Sequence, residues 1–83
     1  MNRWQFVLHQ LALEEIDRLR PAERRAVRAL LLRLVNDPWQ QPDGQIRPPN
    51  DRVYLAKNVG AQRVIYWLDA FAREICVVRV ERR

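Results

Sequence analysis

Hydrophobic and polar residues first alternate along this chain and then change to a helical spacing. Trp4, Phe6 and Leu8 fall on one side of an extended backbone, which predicts a short strand over residues 4–9. From there the apolar residues recur every three or four positions, at Leu8, Ala12, Ile16 and Leu19. This spacing predicts a first amphipathic helix that ends at Pro21.

A second amphipathic helix is predicted over residues 21–36. Proline suits the first turn of a helix, and the carboxylate of Glu23 falls near the positive end of the helix dipole. The helix should stop at Asp37, because Pro38 disfavours helical backbone in the residue before it. Its apolar stripe consists of Val27, Leu30, Leu31, Leu34 and Val35. Two such helices joined by a tight turn form an αα-hairpin, which must bury both stripes against another layer.

The second half of the chain predicts a loop and then three strands. Residues 39–51 contain three prolines and the Asp43-Gly44 turn signal, which predict a loop. Three strand-like segments follow, separated by a turn at 58–60 and a connection at 69–73; they cover residues 52–57, 62–68 and 74–82. The predicted fold class is α+β, with an N-terminal strand, an αα-hairpin, and a three-stranded antiparallel segment that completes a small twisted sheet.

Period-two alternation assigns the side chains of the last two segments to faces. Val64, Tyr66 and Leu68 share one face of the second segment, and we expect the helices to cover it. In the third segment, the same interpretation places one apolar set under the helices, namely Cys76, Val78 and Val80. The opposite face then presents four residues that can contact a ligand, namely Arg63, Trp67, Arg79 and Arg83.

The length and composition predict one small cytoplasmic domain. A chain of 83 residues is enough for a single domain over residues 1–83 and too short for two, and 48% apolar residues can form its core. The longest apolar run, residues 29–32, is far below the ~20 residues of a membrane span, and the start of the chain does not resemble a secretory signal. The single cysteine, Cys76, cannot form an internal disulfide, which favours a reducing compartment.

The charge of the chain is positive and almost entirely due to arginine. The formal net charge is +5, and fourteen of the fifteen basic side chains are arginines. Residues 44–83 carry eight basic and four acidic side chains, against seven and six in residues 1–43. Arginine clamps phosphates and carboxylates with a planar fork, so a partner rich in either group is expected. A genome with arginine-rich codon usage, in which the charge only maintains solubility, explains the composition equally well.

Two short motifs of the chain are Arg63-Val64-Ile65-Tyr66, after the predicted hairpin, and the closing Val80-Glu81-Arg82-Arg83. They resemble motifs of the RelE/ParE superfamily of bacterial toxins from toxin–antitoxin pairs. In that family a first strand and a helical hairpin precede an antiparallel sheet, the third strand reads close to Tyr-Arg-Val-Ile-Tyr, and the last conserved strand ends in a basic pair. The resemblance covers nearly the whole chain and depends on order, length and spacing more than on either motif.

The resemblance implies a site on the concave face of the sheet. In the ribonuclease branch, basic residues on this face promote attack of a ribose 2′-hydroxyl on the adjacent phosphate of an mRNA in the ribosomal decoding site, without a metal or other cofactor. Arg63 matches the arginine of the third-strand motif, and Arg83, with Arg82 beside it, matches the arginine that closes the last strand. Tyr54 and Lys57 lie where the family places basic groups before the hairpin. The candidate catalytic residues are therefore Arg63, Arg83, Lys57 and Tyr54.

Four further residues are candidates for binding RNA: Arg52, Trp67, Arg79 and Arg82. Trp67 can stack on a base, or it can belong to an apolar patch that an antitoxin covers. Lys57 can act as a general base, or it can be a solvated lysine that protects a sheet edge. Tyr66 and Cys76 are expected to be core residues rather than catalytic ones.

Three departures from the family pattern leave other functions open. The tyrosine before the family's motif arginine is Gln62 here, the preceding strand has only Arg52 and Lys57 as basic residues, and no tyrosine follows Arg83. The ParE branch, which poisons DNA gyrase by binding it, does not need that last tyrosine. The expected functions are therefore an mRNA-cleaving ribonuclease, a non-enzymatic gyrase toxin or a catalytically degenerate member. For all three, the resemblance implies a cognate antitoxin that is acidic and partly disordered.

Overall fold

A computed structural model describes residues 3–49 and 52–83 of the chain. Within these ranges the elements are β1 (Gln5–Leu8), α1 (Gln10–Asp17), α2 (Pro21–Asn36), β2 (Gly44–Ile46), β3 (Tyr54–Val59), β4 (Gln62–Asp69) and β5 (Glu74–Arg82). The strands form one sheet with the spatial order β1-β5-β4-β3-β2. β1 is parallel to β5, and the other neighbouring strands are antiparallel. This architecture confirms the predicted α+β class and the order of its elements.

Both predicted helices are present, and α2 has its predicted boundaries. α2 begins at Pro21 and ends at Asn36, and the Glu23 carboxylate accepts a hydrogen bond from the backbone N–H of Arg20 at 3.1 Å. This contact satisfies one of the N–H groups that the first helical turn leaves unpaired. α1 is shorter than predicted at both ends: Leu8 belongs to β1, so the helix begins at Gln10, and it ends at Asp17 rather than at Pro21. Neither helix in the described ranges is long and apolar enough to cross a membrane.

The apolar stripes of both helices pack on one face of the sheet. We call this face the covered face and the other one the open face. From the helical layer, Ala12 and Leu34 are 0% exposed and Leu30 is 1% exposed. The sheet contributes buried residues from its two central strands: Val64, Tyr66, Ile75, Val77 and Val80. The core therefore lies between the helical pair and β4–β5, as the stripes predict.

The predicted loop over residues 39–51 contains a short strand that the sequence pattern missed. β2 pairs with β3, with Gly44 opposite Ala56 and Ile46 opposite Tyr54. A strand of three residues is too short to show alternation, whereas its pairing satisfies backbone groups along the edge of β3. The last two residues of the predicted loop, 50 and 51, lie outside the described residues.

A β-bulge interrupts the pairing of β4 with β5. Ile65 lies opposite Arg79, but the next residue, Tyr66, lies opposite Val77, so β5 has Val78 as an extra residue. An extra residue on one strand changes which of its side chains face each side of the sheet. The sequence shows no sign of this bulge, because its position depends on how two separate strands pair.

Because of this bulge, the predicted assignment of β5 side chains to the two faces is partly wrong. Ile75 before the bulge and Val80 after it both belong to the core on the covered face. The expectation that Cys76 lies under the helices is wrong, because Cys76 pairs with Trp67 on the open face. Val78 is likewise not part of the core cluster under the helices. Of the three residues predicted to share the covered face, only Val80 does so.

A tight hairpin between β3 and β4 positions the arginine of the first motif. Val59 pairs with Gln62, so the turn consists of Gly60 and Ala61 rather than of residues 58–60. Gly60 has φ +57°, a left-handed conformation that glycine adopts without steric penalty. The turn places Arg63 one residue after the start of β4, close to this end of the sheet.

Candidate functional site on the open face of the sheet

The strand register assigns each candidate residue to a face, because side chains directly opposite each other on paired strands share a face. Arg63 pairs with Asn58 of β3 on one side and with Glu81 of β5 on the other. These three residues form a row across the open face. Trp67, four residues after Arg63 in β4, and Tyr54, four residues before Asn58 in β3, lie on the same face.

Arg63 borders a small cleft formed by β2, β3 and the start of β4. The cleft has a volume of about 130 Å³ and is lined by Asp43, Gly44, Gln45, Ile46, Ala56, Asn58 and Arg63. The Arg63 side chain is exposed, and no other described residue forms a hydrogen bond or an ion pair with its guanidinium. This guanidinium is therefore available to clamp a phosphate or a carboxylate in the bidentate geometry that arginine favours.

Two polar residues of this cleft, Asn58 and Asp43, were not predicted as site residues. The amide oxygen of Asn58 is buried and has no hydrogen-bond partner among the described residues. Because an unpaired buried acceptor is unfavourable, a ligand hydroxyl or N–H that reaches it would be stabilised. The Asp43 carboxylate accepts a hydrogen bond from the Asn58 backbone N–H at 2.7 Å, which holds β2 beside β3. Both residues lay at predicted turns, Asp43 in the Asp43-Gly44 signal and Asn58 at the start of the turn at 58–60, but neither turn indicated a site.

The two arginines at the end of β5 point to different faces. Arg82 pairs with Gln62, and its guanidinium lies 3.7 Å from the Glu23 carboxylate of α2, on the covered face. Arg83 follows the alternation of Glu81 onto the open face, where its guanidinium donates a hydrogen bond to the Gly60 carbonyl at 3.0 Å. Of this predicted pair, it is therefore Arg83 that shares the open face with Arg63.

An aromatic cluster occupies the other end of the open face. The guanidinium carbon of Arg52 lies 3.8 Å from the ring centroid of Trp67, a cation–π stack. Tyr54 extends this cluster onto β3, where it pairs with Ile46. Four residues of strand separate Tyr54 from Asn58, which corresponds to ~13 Å. The open face thus has an arginine end at Arg63 and an aromatic end at Trp67.

Lys57 lies apart from both ends. It pairs with Val64, whose side chain belongs to the core, so Lys57 is on the side of the sheet that faces the helices. Its ammonium group donates a hydrogen bond to the Gln41 carbonyl at 3.1 Å. The structure therefore does not bring the candidate base Lys57 together with Arg63.

Arg79 is engaged at the edge of the sheet by a carboxylate of α1. The Arg79 guanidinium forms an ion pair with Glu15 at 2.9 Å, and its Nε also donates to both Glu15 oxygens. The same carboxylate accepts the backbone N–H of Val80 at 2.8 Å. β1 pairs with β5 only as far as Val77, so Glu15 satisfies an edge N–H that β1 does not reach.

These contacts shift the ionisation of both partners. Burial alone would raise the pKa of Glu15, but the hydrogen bonds from Arg79 and Val80, together with nearby arginine charge, outweigh it and lower this pKa below 4.5. The hydrogen bond and the charge of Glu15 raise the pKa of Arg79. Glu15 and Arg79 are therefore both ionised at neutral pH, and Arg79 already has a carboxylate partner.

The basic residues of the second half of the chain are thus distributed over several places. The open face carries Arg63, Arg83 and Arg52, but it also carries carboxylates: Glu81 lies opposite Arg63, and Asp69 lies opposite Glu74. Arg82 and Lys57 lie on the covered side. Arg79 lies opposite Ile65 on the open face, but its guanidinium is already ion-paired with Glu15 and lies 3.7 Å from Glu81. The excess of positive charge that the sequence shows in residues 44–83 does not become one uniform cationic face.

Tyr66 and Cys76 are buried, as predicted. Tyr66 is 0% exposed, and burial, together with the negative charge of Asp43, raises the pKa of its hydroxyl to about 12. Cys76 is 4% exposed, and burial also raises the pKa of its thiol. Both groups keep their protons at neutral pH, so neither is an activated nucleophile or base.

Solved structures of toxins share this architecture. The chain is similar to the RelBE2 toxin–antitoxin complex of Mycobacterium tuberculosis, with a TM-score of 0.81, 19% identity, and coverage of 99% of this chain and 100% of that one. It is similar to the archaeal RelE–RelB complex of Pyrococcus horikoshii, with a TM-score of 0.80, 16% identity, and coverage of 99% and 97%. For the isolated E. coli RelE toxin the TM-score is 0.77, with 16% identity and coverage of 95% and 83%.

At these identities the comparison establishes the fold. No protein-family model matches the chain, and neither does any curated protein. The similarity covers 95–99% of this chain and 83–100% of the three solved structures. It confirms that the sequence motifs identified the RelE architecture correctly.

Proposed function

We propose that this chain, which has the fold of the RelE toxins, is the toxin of a type II toxin–antitoxin pair and cleaves mRNA on the ribosome without a metal. The single observation that carries this proposal is the exposed guanidinium of Arg63, which has no partner among the described residues and borders a polar cleft on the open face. The fold supports it, because three solved structures with this architecture are described as RelE toxins or their complexes.

In the proposed reaction, Arg63 binds the scissile phosphate. A ribose 2′-oxygen forms a bond to phosphorus, the bond from phosphorus to the 5′-oxygen of the next nucleotide breaks, and the 2′-hydroxyl proton is transferred to that leaving oxygen through protein groups or water. Negative charge accumulates on the phosphate oxygens in the transition state, and a fixed guanidinium stabilises it without transferring a proton. Arg83, on the same face, contributes a second positive charge.

The proton acceptor in this proposal is a carboxylate rather than Lys57. Lys57 lies on the covered side and Tyr54 lies at the aromatic end, ~13 Å along the strand from the Arg63 row. Glu81 is directly opposite Arg63 on β5 and is on the open face. A general base must reach the proton it accepts, directly or through one water, and Glu81 meets this requirement better than either predicted candidate.

The aromatic end holds a neighbouring nucleotide in this proposal. A base can stack on the Arg52 guanidinium that already lies over Trp67, or against the free edge of the indole. Stacking of this kind contributes roughly 1–3 kcal/mol per base and tolerates any sequence. The phosphate would therefore be bound at Arg63 while a flanking base is bound near Trp67.

The test is induced expression of the wild-type chain and of Arg63→Ala, followed by mapping of RNA 5′ ends. We expect codon-positioned cuts in translated mRNA with the wild type and at least about a 100-fold loss with Arg63→Ala, because one transition-state charge contact is removed. Arg25→Ala is the matched control, since Arg25 is an exposed arginine of α2 far from the open face in the fold. It should cut like the wild type.

Other results would contradict the proposal in distinguishable ways. Wild-type cutting by a folded Arg63→Ala protein rejects the site. Double-strand breaks in DNA with intact mRNA identify a gyrase toxin instead. Normal growth with intact RNA and DNA identifies an inert member.

The proposed partner is an antitoxin of opposite charge. The net charge of the chain is +5, and two solved complexes of the same fold contain RelB together with RelE. An acidic segment that is disordered on its own would gain charge complementarity and apolar contacts on binding. Copurification with the product of an adjacent reading frame tests this proposal.

A further inference from the structure

A cleft lies where the chain enters β1 and leaves α2. Its volume is about 360 Å³, and it is lined by Arg3, Trp4, Val35, Asn36 and Pro38. Ligand-binding pockets commonly have volumes of ~300 to ~1,000 Å³, so this cleft has room for a small ring system with polar substituents. The proposed ribonuclease reaction uses none of the residues that line it.

The cleft is remote from Arg63. The backbone N–H of Gln5 donates to the Arg73 carbonyl at 3.1 Å, so the start of β1 lies at the end of the sheet that carries the β4–β5 turn. Arg63 lies near the opposite end of β4, and the six residues from Arg63 to Asp69 correspond to ~20 Å of strand. A ligand in the cleft would therefore leave the arginine end of the open face uncovered.

Trp4 forms an aromatic wall of the cleft. Its indole is partly buried against the core and meets the Trp39 ring at an angle of 85°, with 5.8 Å between the ring centroids. This edge-to-face contact and the core contacts hold the indole in place. Val35 and the buried Pro38 add apolar surface to the lining. A flat ring that stacks on the Trp4 indole would therefore lose contact with water and gain stacking energy.

The end of α2 supplies hydrogen-bond acceptors to the cleft. The last carbonyls of a helix have no partner within it, and those of Val35 and Asn36 accept no hydrogen bond from another described residue. The side-chain amide of Asn36 donates to the Leu32 carbonyl at 3.1 Å, which leaves its oxygen for a ligand. A ligand with N–H groups would satisfy these acceptors.

Arg3 brings a positive charge to the cleft. Its side chain is exposed, and its guanidinium has no hydrogen bond or ion pair with another described residue. The described residues that line the cleft include no carboxylate; Asp37 follows Asn36 in the chain but is not part of the lining. A phosphate in the cleft could therefore be clamped by the guanidinium of Arg3.

The indole, the acceptors and the guanidinium together select the chemistry of the ligand. An inorganic anion would use Arg3 alone, and a purely apolar ligand would leave the carbonyls of α2 and Arg3 without partners. A nucleotide has a planar ring for the indole, N–H groups on its base for the acceptors and a phosphate for the guanidinium.

We propose that this cleft binds a nucleotide, either free or as an unpaired nucleotide of an RNA, with its base on Trp4, its N–H groups at Asn36 and its phosphate at Arg3. Because the acceptors lie at the end of α2, bases with an amino group are favoured over uracil, which has none. The site is separate from the proposed catalytic residues, and nucleotide binding there does not depend on RNA cleavage.

Isothermal titration calorimetry with Arg63→Ala protein tests the proposal, because this variant lacks the proposed phosphate contact of the open face. AMP should bind at one site. UMP should bind about fivefold or more weakly, because it lacks an amino group for the acceptors, and ribose 5-phosphate should bind more weakly still, because it cannot stack.

Two further variants in the same background separate a specific phosphate contact from net charge. Adding Arg3→Ala should weaken AMP binding about fivefold or more, because the phosphate loses a charged hydrogen-bond partner. Adding Arg25→Ala removes the same charge at an exposed α2 position outside the cleft lining, and it should change AMP binding less than about twofold. Melting curves verify that both variants are folded.

Three results would overturn the inference. They are an absence of saturable AMP binding, equal binding of AMP and ribose 5-phosphate, and equal weakening by Arg3→Ala and Arg25→Ala. Asn36→Ala gives a further check, since it removes one acceptor and should bring the affinities for AMP and UMP closer together. An unchanged ratio of the two affinities would remove Asn36 from the site.

An oligonucleotide of four adenosines distinguishes the two sources of the nucleotide. Competition with AMP that is weakened by Arg3→Ala assigns the cleft to an unpaired nucleotide of RNA, and a failure to compete assigns it to a free nucleotide. Both results support the proposed site. If AMP binds as expected but the wild type cuts no RNA, the proposed function fails and the nucleotide site stands.

Discussion

On the covered face of β4, Val64 and Tyr66 are both 0% exposed, whereas on the open face Ile65 is 7% exposed beside an exposed Arg63. The exposed fraction of the side chains does not by itself distinguish the two faces, since Ala56 and Cys76 of the open face are only 4% exposed. What differs is the chemistry around the buried residues. The covered face is closed by helices, while the open face has an apolar floor bordered by arginines and an indole.

This difference indicates which residues stabilise the fold and which are available to bind a ligand. Apolar area that two layers remove from water stabilises the fold by roughly 25 cal/mol per Å². Exposed groups such as the Arg63 guanidinium contribute little to stability and keep their interactions for a ligand. Substitutions on the two faces should therefore differ first in the free energy of unfolding, and five predictions test that difference.

The largest effect is expected at the centre of the covered face. Tyr66→Ala should lower the free energy of unfolding by about 3–5 kcal/mol, because it leaves a cavity where a large ring is fully buried. Trp67→Ala, the neighbouring aromatic on the open face, should cost clearly less, since the indole is only partly buried. Urea unfolding of both variants measures the difference. Equal losses would show that the open face is closed in solution.

Ionisation of the Tyr66 hydroxyl should lower the free energy of unfolding at alkaline pH. Its pKa in the fold is about 12, above the ordinary value of 10.0, chiefly because of burial. The stability linked to this proton is complete below pH 10.0 and is lost as the pH rises towards about 12, by roughly 2–3 kcal/mol. Tyr66→Phe should lack this component of the alkaline loss.

At neutral pH, Tyr66→Phe should not destabilise the protein. The Tyr66 hydroxyl is buried without a hydrogen-bond partner among the described residues, so its removal relieves a penalty. A large loss of stability at neutral pH would show that the hydroxyl has a partner in solution. Chemical unfolding at neutral and alkaline pH, compared between the two proteins, gives both measurements.

A smaller effect is expected at the sheet edge that Glu15 closes. Glu15→Ala should cost about 1–3 kcal/mol, because it leaves the Val80 N–H and Arg79 without their partner. Glu15→Gln keeps an oxygen for Val80 and should cost less. Since the pKa of Glu15 is lowered in the fold, its contribution is present above pH 4.5 and is lost as the pH falls below that value. Acid unfolding that is identical in wild type and Glu15→Gln would contradict this account.

The smallest effect is expected at the aromatic end of the open face. A double-mutant cycle of Arg52→Ala and Trp67→Leu should give a coupling of about 0.5–1 kcal/mol, the usual strength of an exposed cation–π stack. The cycle is measured by thermal unfolding of the four proteins. A coupling of zero would mean that Arg52 does not stay on the indole, and the aromatic end would then be open for a base on both sides.

Local signals predicted the elements whose ends are chemically marked. α2 was predicted to the residue, because Pro21 favours the first helical turn and Pro38 prevents continuation. The three long strands were also recognised, since alternation over six to nine residues leaves little ambiguity. β2 was missed because its three residues are stabilised by pairing with β3 and not by a pattern of their own.

The candidate site was also predicted only in part, because local patterns show the face of a residue but not its partners from other elements. Arg63 and Trp67 were assigned to the open face correctly, because β4 alternates without interruption. Arg79 lies opposite Ile65 and so shares their face, as expected, but its guanidinium is bound by Glu15 of α1, a residue 64 positions away in the chain. No pattern within one strand contains such a partner.

The sequence by itself determined the α+β class, the order of the elements and the RelE architecture, because periodicity, prolines and the two basic motifs are local properties. Only the tertiary structure decided where the bulge in β5 falls, which of the arginines keep free guanidiniums, and that the start of β1 and the end of α2 form one cleft. The physical reason is that strand register and ion pairing are set by residues far apart in the chain, and their energies exist only after the layers have packed.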